Sequence, residues 1–406
     1  MSGATGSPTG ATTLLATLTG ADRPGLTAAV FTALAGRGVE VLDVAQLVVR
    51  GHVTLALLTT AGDDEAGASA ALHAAAAELG LELDLSPAPD PDGARPALGS
   101  RVHVTLLGSP LRPEAVAAVA GAVAGSGANI DRIRRLAPRP VTAVELDVSG
   151  ADPEGLRRVL VSVSAEHGVD VAVSPAGLAR HGRRLVVLDV DSTLIQDEVI
   201  ELLAAHAGRE REVAAVTERA MRGELDFTES LHERVAALAG LDAAVLDDVR
   251  AAVRLTPGAQ TLCDVLHRLG FTLALVSGGF TEVVQPLADS LGIAHVRANG
   301  LEVVDGRLTG RVSGPVVDRP AKARALREFA AAEGLPMSRT VAVGDGANDL
   351  DMLAAAGLGI AFNAKPVVRE QAQTSLTSPY LDSVLYLLGI SREEVEEAGA
   401  GADAPR

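Results

Sequence analysis

Two aspartates separated by one residue, Asp189 and Asp191, close the apolar run RRLVVLD and open the segment DVDST. Carboxylates at the end of a buried strand are costly unless a cation pairs with them. Three further groups complement them. Ser277-Gly278-Gly279 ends the run FTLALV, Lys322 follows Arg319-Pro320-Ala321, and Gly344-Asp345-Gly346-Ala347-Asn348-Asp349 ends the run TVAV. Each group stands at an expected strand end or loop start. A parallel sheet would bring all four to the edge where such sheets bind ligands. Taken singly, Lys322 reads as a surface lysine and a lone DxD says little. Together, the carboxylates, lysine, hydroxyl and glycine amides suit phosphate chemistry.

The elements that would position them follow from pattern. From Arg184 onward, short apolar strands at Leu185–Val190, Thr272–Val276, Ala294–Arg297, Thr340–Val343 and Leu358–Phe362 alternate with helical stretches. This alternation predicts a parallel sheet covered by helices on both faces. Between Leu194 and Pro257 the pattern is helical with no strong strand, which predicts an inserted helical cap over about 196–256. Upstream, 12–85 and 99–178 each show the order βαββαβ, a ferredoxin-like unit. Gly20 and Gly108 stand at the same offset as Leu42-Asp43 and Ile130-Asp131, and Arg23-Pro24 recurs as Arg112-Pro113 with one extra residue. These matches indicate a duplication. The segment 86–98 holds Pro87, Pro89, Pro91 and Pro96 and reads as a linker. Residues 1–11 read as loose, 179–393 as the catalytic domain, and 394–406 as an acidic helical tail that frays.

DxDST, S-G-G, a lone lysine and GDGxND, in this order, resemble the haloacid dehalogenase superfamily. DVDSTLIQDE (189–198) and AMRGELDFTESLHER (220–234) resemble its phosphoserine-hydrolysing branch. The resemblance implies a Rossmann-like core with an inserted cap, and hydrolysis of O-phospho-L-serine to L-serine and phosphate, the last step of serine biosynthesis. It assigns Mg²⁺ to Asp189, the backbone carbonyl of Asp191 and Asp345, with Asp349 orienting metal waters or Lys322. Asp189 would be the nucleophile that forms an aspartyl-phosphate, and Asp191 the general acid and then base. Lys322 would offset charge, and Ser277, Gly278, Gly279 and Asn348 would hold phosphate. In the cap, Arg234 would take the substrate carboxylate and Glu198 its ammonium, while Met221 and Phe227 exclude water. A planar guanidinium suits a carboxylate because it binds in a fork. Read one by one, these four are surface charges and cap core.

The two N-terminal units resemble ACT domains, regulatory modules that often bind amino acids. On that resemblance Gly20, Asp22 and Gly108 are candidate effector residues, with L-serine as the expected effector. A purely turn-shaping role for Gly20 and Gly25 is an equal reading. In the second copy GSPLRPEA replaces GADRPGL, with Glu114 in place of Gly25, so that copy can be structural only. ACT-like pairing of sheets side by side leads to an expected homodimer.

Composition narrows the classes. The chain has 406 residues, and 35 Lys and Arg stand against 52 Asp and Glu, a net charge of −17. So acidic a chain lacks the basic footprint of nucleic-acid binding. Its single cysteine, Cys263, excludes an intrachain disulfide and a cysteine-built zinc site. Cys263 has no basic cluster around it and reads as a buried thiol. With no basic segment before Arg23 and no apolar run long enough for a membrane, a cytoplasmic protein is expected. Two other readings stay open: a related phosphatase or phosphotransferase acting on another small phosphate ester or on protein phosphoserine, and an amino-acid-binding regulator with a vestigial phosphatase.

Overall fold

The computed structural model describes residues 13–62, 64–88, 101–177, 182–221 and 224–400. Residues 1–98 form one compact unit and 99–406 another.

The first unit contains β1 (Thr13–Ala21), α1 (Leu26–Leu34), β2 (Val41–Val49), β3 (His52–Thr60), α2 (Glu65–Leu79) and β4 (Glu82–Ala88). Its antiparallel sheet has the order β2-β3-β1-β4. Leu18, Val30, Leu55 and Leu72 pack between sheet and helices. The side chain of Asp64 caps α2, and left-handed Gly80 ends it. β4 runs through Pro87 into the expected linker, because a sheet edge tolerates a residue without an amide donor. The other linker prolines lie outside the described residues.

The second unit opens with the repeat: β5 (Arg101–Gly108), α3 (Pro113–Gly125), β6 (Asn129–Ala137), β7 (Thr142–Ser149), α4 (Pro153–His167) and β8 (Asp170–Pro175), in the order β6-β7-β5-β8. Val102, Val104 and Leu106 of β5 face the repeat's own helices. On the opposite face Leu107, with Leu136 and Ala143, joins the core of the domain that follows. Strand alternation thus buries both faces of this sheet.

That domain contains β9 (Leu185–Leu188), α5 (Val199–Ala207), α6 (Glu210–Met221), α7 (Phe227–Ala236), α8 (Val245–Ala252), α9 (Ala259–Arg268), β10 (Thr272–Phe280), α10 (Thr281–Ser290), β11 (His295–Val304), β12 (Arg307–Ser313), α11 (Arg319–Ala332), β13 (Thr340–Gly344), α12 (Leu350–Ala355), β14 (Leu358–Phe362), α13 (Pro366–Arg369), β15 (Thr374–Leu376), α14 (Val384–Leu387) and α15 (Arg392–Ala400). Its sheet has the order β12-β11-β10-β9-β13-β14-β15. Val186 and Leu188 of β9 enter one core and Leu185 and Val187 the other, as a sheet covered on both faces requires. The expected cap segment is helical, from α5 to α8.

Three features depart from the expectation. β12 runs antiparallel to β11 across a turn at Asp305 and Gly306, both with positive φ. An Asp-Gly turn between two apolar runs is a hairpin signal that the strand pattern overlooked. β15 adds a short parallel edge strand. The helix expected to fray, α15, is anchored by buried Val395. Among the described residues no helix is long and apolar enough to cross a membrane.

Candidate active site

The turn after β9 carries the first carboxylates. Asp189 follows the strand directly, and its amide donates to the Val343 carbonyl of β13 at 2.9 Å. Its Oδ1 accepts from the Val190 amide at 2.7 Å. The backbone then turns sharply at Ser192, whose φ is 54°, a left-handed conformation that costs a non-glycine residue energy. The turn brings Asp191 back toward α5, where its Oδ1 accepts from the Val199 amide at 2.9 Å.

Lys322 sits one turn inside α11, in a helix capped by Asp318, and is wholly buried. Its Nζ lies 2.7 Å from both Asp189 Oδ2 and Asp349 Oδ1. Burial alone would lower the pKa of this amine, but the two carboxylates outweigh it and hold Lys322 charged above its ordinary value. Asp349 is also wholly buried and accepts from the Gly346 amide at 2.9 Å. Carboxylate oxygens of Asp189, Asp345 and Asp349 all lie within 4.8 Å of one another.

One lysine does not balance this many acids. Burial first, and then the charge of Asp349, raises Asp189 well above the usual carboxylate range. The same two causes push Asp345 up to about 6. Burial and the neighbouring Glu198 push Asp191 up to about 7. An all-oxygen donor set with excess negative charge fits a hard divalent cation. The residues present therefore suit a metal ion.

Ser277, Gly278 and Gly279 lie within β10. Ser277 Oγ accepts from the Gly279 amide at 2.8 Å. A side chain at Gly279 would come within 2.8 Å of Asp191 Oδ2, and one at Gly278 within 3.1 Å of the Phe227 ring. Glycine here keeps the backbone close to the carboxylate and to the cap.

Asp189, Asp191, Gly278, Gly279 and Asp345 line a cavity of about 360 Å³ with Glu198, Phe227, Arg234 and Asn348, while Ser277, Lys322 and Asp349 are buried behind its wall. Glu198, the residue before α5, accepts from Ser192 Oγ at 2.9 Å, and burial raises its pKa. Burial lowers the pKa of Arg234 against the pull of Glu198 and Asp191. Arg234 Nε donates to the Ser230 carbonyl at 3.3 Å, one turn back on α7. Residues from two ends of the cap and three strand ends therefore meet at one place. The side chain of Met221 lies outside the described residues.

Sequence reasoning missed several supports. Thr193 Oγ1 donates to Asp345 Oδ1 at 2.9 Å, and Thr256 Oγ1 holds the Thr193 carbonyl at 2.7 Å. Buried Asn299 donates from Nδ2 to the Gly278 carbonyl at 2.7 Å and accepts from the Val317 amide at 2.8 Å. Ile200 and Leu231 add apolar wall. Thr193 stands inside the DxDST motif and was legible there, whereas nothing near Asn299 in the sequence marks it.

The effector candidates have structural roles in their own units. A Cβ at Gly20 would meet Leu81 Cδ2 at 2.6 Å, and one at Gly108 would meet Leu111 Cα at 2.9 Å. Asp22 is exposed, and its amide donates to the Gly51 carbonyl at 2.8 Å. Cys263 is buried, and burial pushes its thiol up to about 12, as expected of a structural thiol.

Comparison with known proteins agrees with this geometry. A family model for haloacid dehalogenase-like hydrolases matches residues 186–354, and ACT domain models match 12–86 and 100–174. The chain is 58% identical to a phosphoserine phosphatase of Streptomyces coelicolor, over 96% of this chain and 95% of that one. It is 53% identical to one of Mycobacterium tuberculosis, over 96% of each. Among solved structures, a haloacid dehalogenase family hydrolase from Salmonella enterica serovar Typhi superposes with a TM-score of 0.61 at 28% identity, covering 71% of this chain and 98% of that one. A probable phosphoserine phosphatase from Vibrio cholerae gives 0.56 at 34% identity, covering 73% and 88%. With more than half of its residues matched across nearly its whole length, the chain belongs to the phosphoserine phosphatase family of haloacid dehalogenase-like hydrolases.

Proposed function

We propose that this chain hydrolyses O-phospho-L-serine to L-serine and phosphate through an aspartyl-phosphate on Asp189. The observation that carries the reading is the pairing inside one cavity. The lining combines the Asp189, Asp191 and Asp345 carboxylates, which suit a phosphate once a cation is bound, with the backbone of Gly278 and Gly279, one cation, Arg234, and a further anion, Glu198. Phosphoserine carries the complementary carboxylate and ammonium.

In the first step a carboxylate oxygen of Asp189 bonds to phosphorus and the bond from phosphorus to the serine oxygen breaks. Asp191 delivers its proton to that oxygen, and L-serine leaves. In the second step Asp191 takes a proton from water, the hydroxide bonds to phosphorus, and the Asp189–phosphorus bond breaks. A carboxyl pushed up to about 7 can hold and release that proton near neutrality. Lys322 pulls the pKa of Asp189 down against burial and Asp349, and a bound cation would add to that pull and favour the ionised nucleophile, while the Ser277–Gly279 segment offers amides to phosphate oxygens. Mg²⁺, held by Asp189, the Asp191 carbonyl and Asp345, would supply positive charge against the dianion. Phe227 limits water, and α5–α8 act as the cap.

The ACT units are proposed to carry amino-acid feedback. A homodimer is proposed through β2, an edge strand exposed along its full length. The lone buried cysteine suits a reducing cytoplasm.

Phosphate release from O-phospho-L-serine, measured with and without Mg²⁺ for wild type and Asp189→Asn, tests the reading. Metal-dependent release by wild type alone supports it. Absence of release by wild type, with a generic aryl phosphate still cleaved, refutes the substrate assignment.

A further inference from the structure

A second cavity of about 480 Å³ lies away from the active site, where the second ACT domain meets the hydrolase domain. Its walls come from α4 and β8 on one side and from α13, β15 and the residues between them on the other. Junctions between domains are common ligand sites, and this volume suits a small metabolite.

The charges around the cavity are incomplete. Asp170 at the start of β8 is buried, and among the described residues its carboxylate accepts only from Thr377, through the amide at 2.8 Å and Oγ1 at 3.0 and 3.1 Å. No cation contacts it among the described residues, and burial pushes it up to about 6. Arg369, at the end of α13, lines the same cavity and is half-buried. Its field reaches Asp170. Its backbone amide donates to the Lys365 carbonyl at 3.1 Å, yet among the described residues its guanidinium makes no hydrogen bond and no ion pair within 4.0 Å. A third group, Thr374 on β15, is only 3% exposed and lines the same walls, and its Oγ1 has no hydrogen-bond partner. Buried polar groups normally find partners. Here an anion, a cation and a hydroxyl without full partners border one space.

We infer that this junction cavity binds an α-amino acid, whose carboxylate pairs with Arg369 and whose ammonium pairs with Asp170. The guanidinium offers a fork to the carboxylate, and Asp170 Oδ1 retains an unused lone pair for the ammonium. Val161, Ala165 and Ala372 receive the side chain. The site is separate from the glycine turn at Gly108 and from the active-site cavity. Because its walls belong to two domains, a bound amino acid strengthens their docking. β15, which supplies one wall, pairs with β14, and β14 pairs with β13, whose end carries Asp345. The inference does not depend on the phosphatase reading.

Amide hydrogen exchange on the full chain tests it, with the proteinogenic L-α-amino acids added singly at millimolar concentration. At least one is expected to slow exchange in both 164–171 and 366–377. Arg369→Ala is expected to weaken that binding roughly tenfold, as loss of a charge-assisted pair does, and to leave ligand-free phosphoserine turnover unchanged. The inference is overturned if no amino acid protects both segments, or if Arg369→Ala binds as tightly as wild type. Product L-serine in the catalytic cavity would instead protect 189–200 and 277–280. Turnover is assayed separately, so failure of the phosphatase reading is distinguishable.

Discussion

At the scale of single residues, the site is an electrostatic balance around Lys322. This amine is wholly buried between Asp189 and Asp349, and removing one partner of a buried pair strands the other charge. Around that pair, small polar side chains set direction. Thr193 aims Asp345 through one hydrogen bond. Groups that orient a metal-holding carboxylate typically change metal affinity ten- to a hundred-fold when lost. Thr193→Val should therefore raise the Mg²⁺ concentration for half-maximal activity roughly tenfold, with a smaller effect on kcat at saturating metal, and Thr193→Ser should restore it. A magnesium titration of turnover checks this. In the proposed reading Arg234 takes the substrate carboxylate. Arg234→Ala should raise the KM for O-phospho-L-serine by roughly ten- to a hundred-fold, since a charged pair contributes about 1.5–3 kcal/mol. Cleavage of an aryl phosphate without a carboxylate should change little. Equal losses on both substrates would remove Arg234 from carboxylate recognition.

At the scale of elements, β10 is the critical strand, because its last residues pass beneath the cap as bare backbone. Glycine at 278 and 279 permits the approach to Phe227 and Asp191, and Asn299 of β11 fastens the Gly278 carbonyl from behind. Asn299 satisfies two backbone groups at once, one on β10 and one before α11. Asn299→Ala leaves both without their partner in a buried place. It should cost about 2–4 kcal/mol of stability and lower kcat through loosening of 277–279. Denaturant midpoints together with turnover of the folded fraction measure the two effects. Gly279→Ala should abolish activity more directly, because the new methyl would collide with the Asp191 carboxylate.

At the scale of the whole molecule, the second ACT repeat is built into the catalytic unit, since its sheet shares a core with the hydrolase domain. Asp170 joins the two through Thr377. Its folded pKa of about 6 lies above the ordinary 3.8, with Arg369 and Glu370 as the other charged groups lining the cavity. Between these values the folded chain keeps the proton and the unfolded chain has lost it. Asp170 therefore favours folding below this window, and its contribution is lost as pH rises through about 6, by at most about 3 kcal/mol. Asp170→Asn keeps an acceptor for Thr377 and removes the charge. The stability difference between wild type and variant should shift in the variant's favour as pH rises across the window. Equilibrium unfolding on either side of it gives the answer, and a pH-independent difference would contradict the assignment. In the other unit, β2 exposes Val44, Leu47 and Val49 along an unpaired edge. Leu47→Lys should lower the molar mass in solution if that edge joins two copies, because charged side chains on an edge oppose strand pairing.

Much of this protein was legible in its sequence. Buried parallel strands read as unbroken apolar runs, and polar residues bunch where such runs stop, so RRLVVLD, FTLALV and TVAV revealed the sheet and the carboxylate, glycine and GDGAND groups at its edge. The repeat was visible because both copies keep their turn residues at one offset. Other features depend on partners distant in the chain and leave no local mark. Asn299 has an ordinary context, and its role arises only where β11 lies beside β10. Asp170 and Arg369 are unremarkable surface types until β8 is brought against β15. The apolar outer face of β5 could not name what covers it. Periodicity and spacing determined the elements and the chemical groups, because those are local properties of the chain. Which side chains satisfy one another, and the cavity left between two domains, were decided by tertiary packing, because a hydrogen bond or an ion pair acts over a few ångströms whatever the separation in sequence.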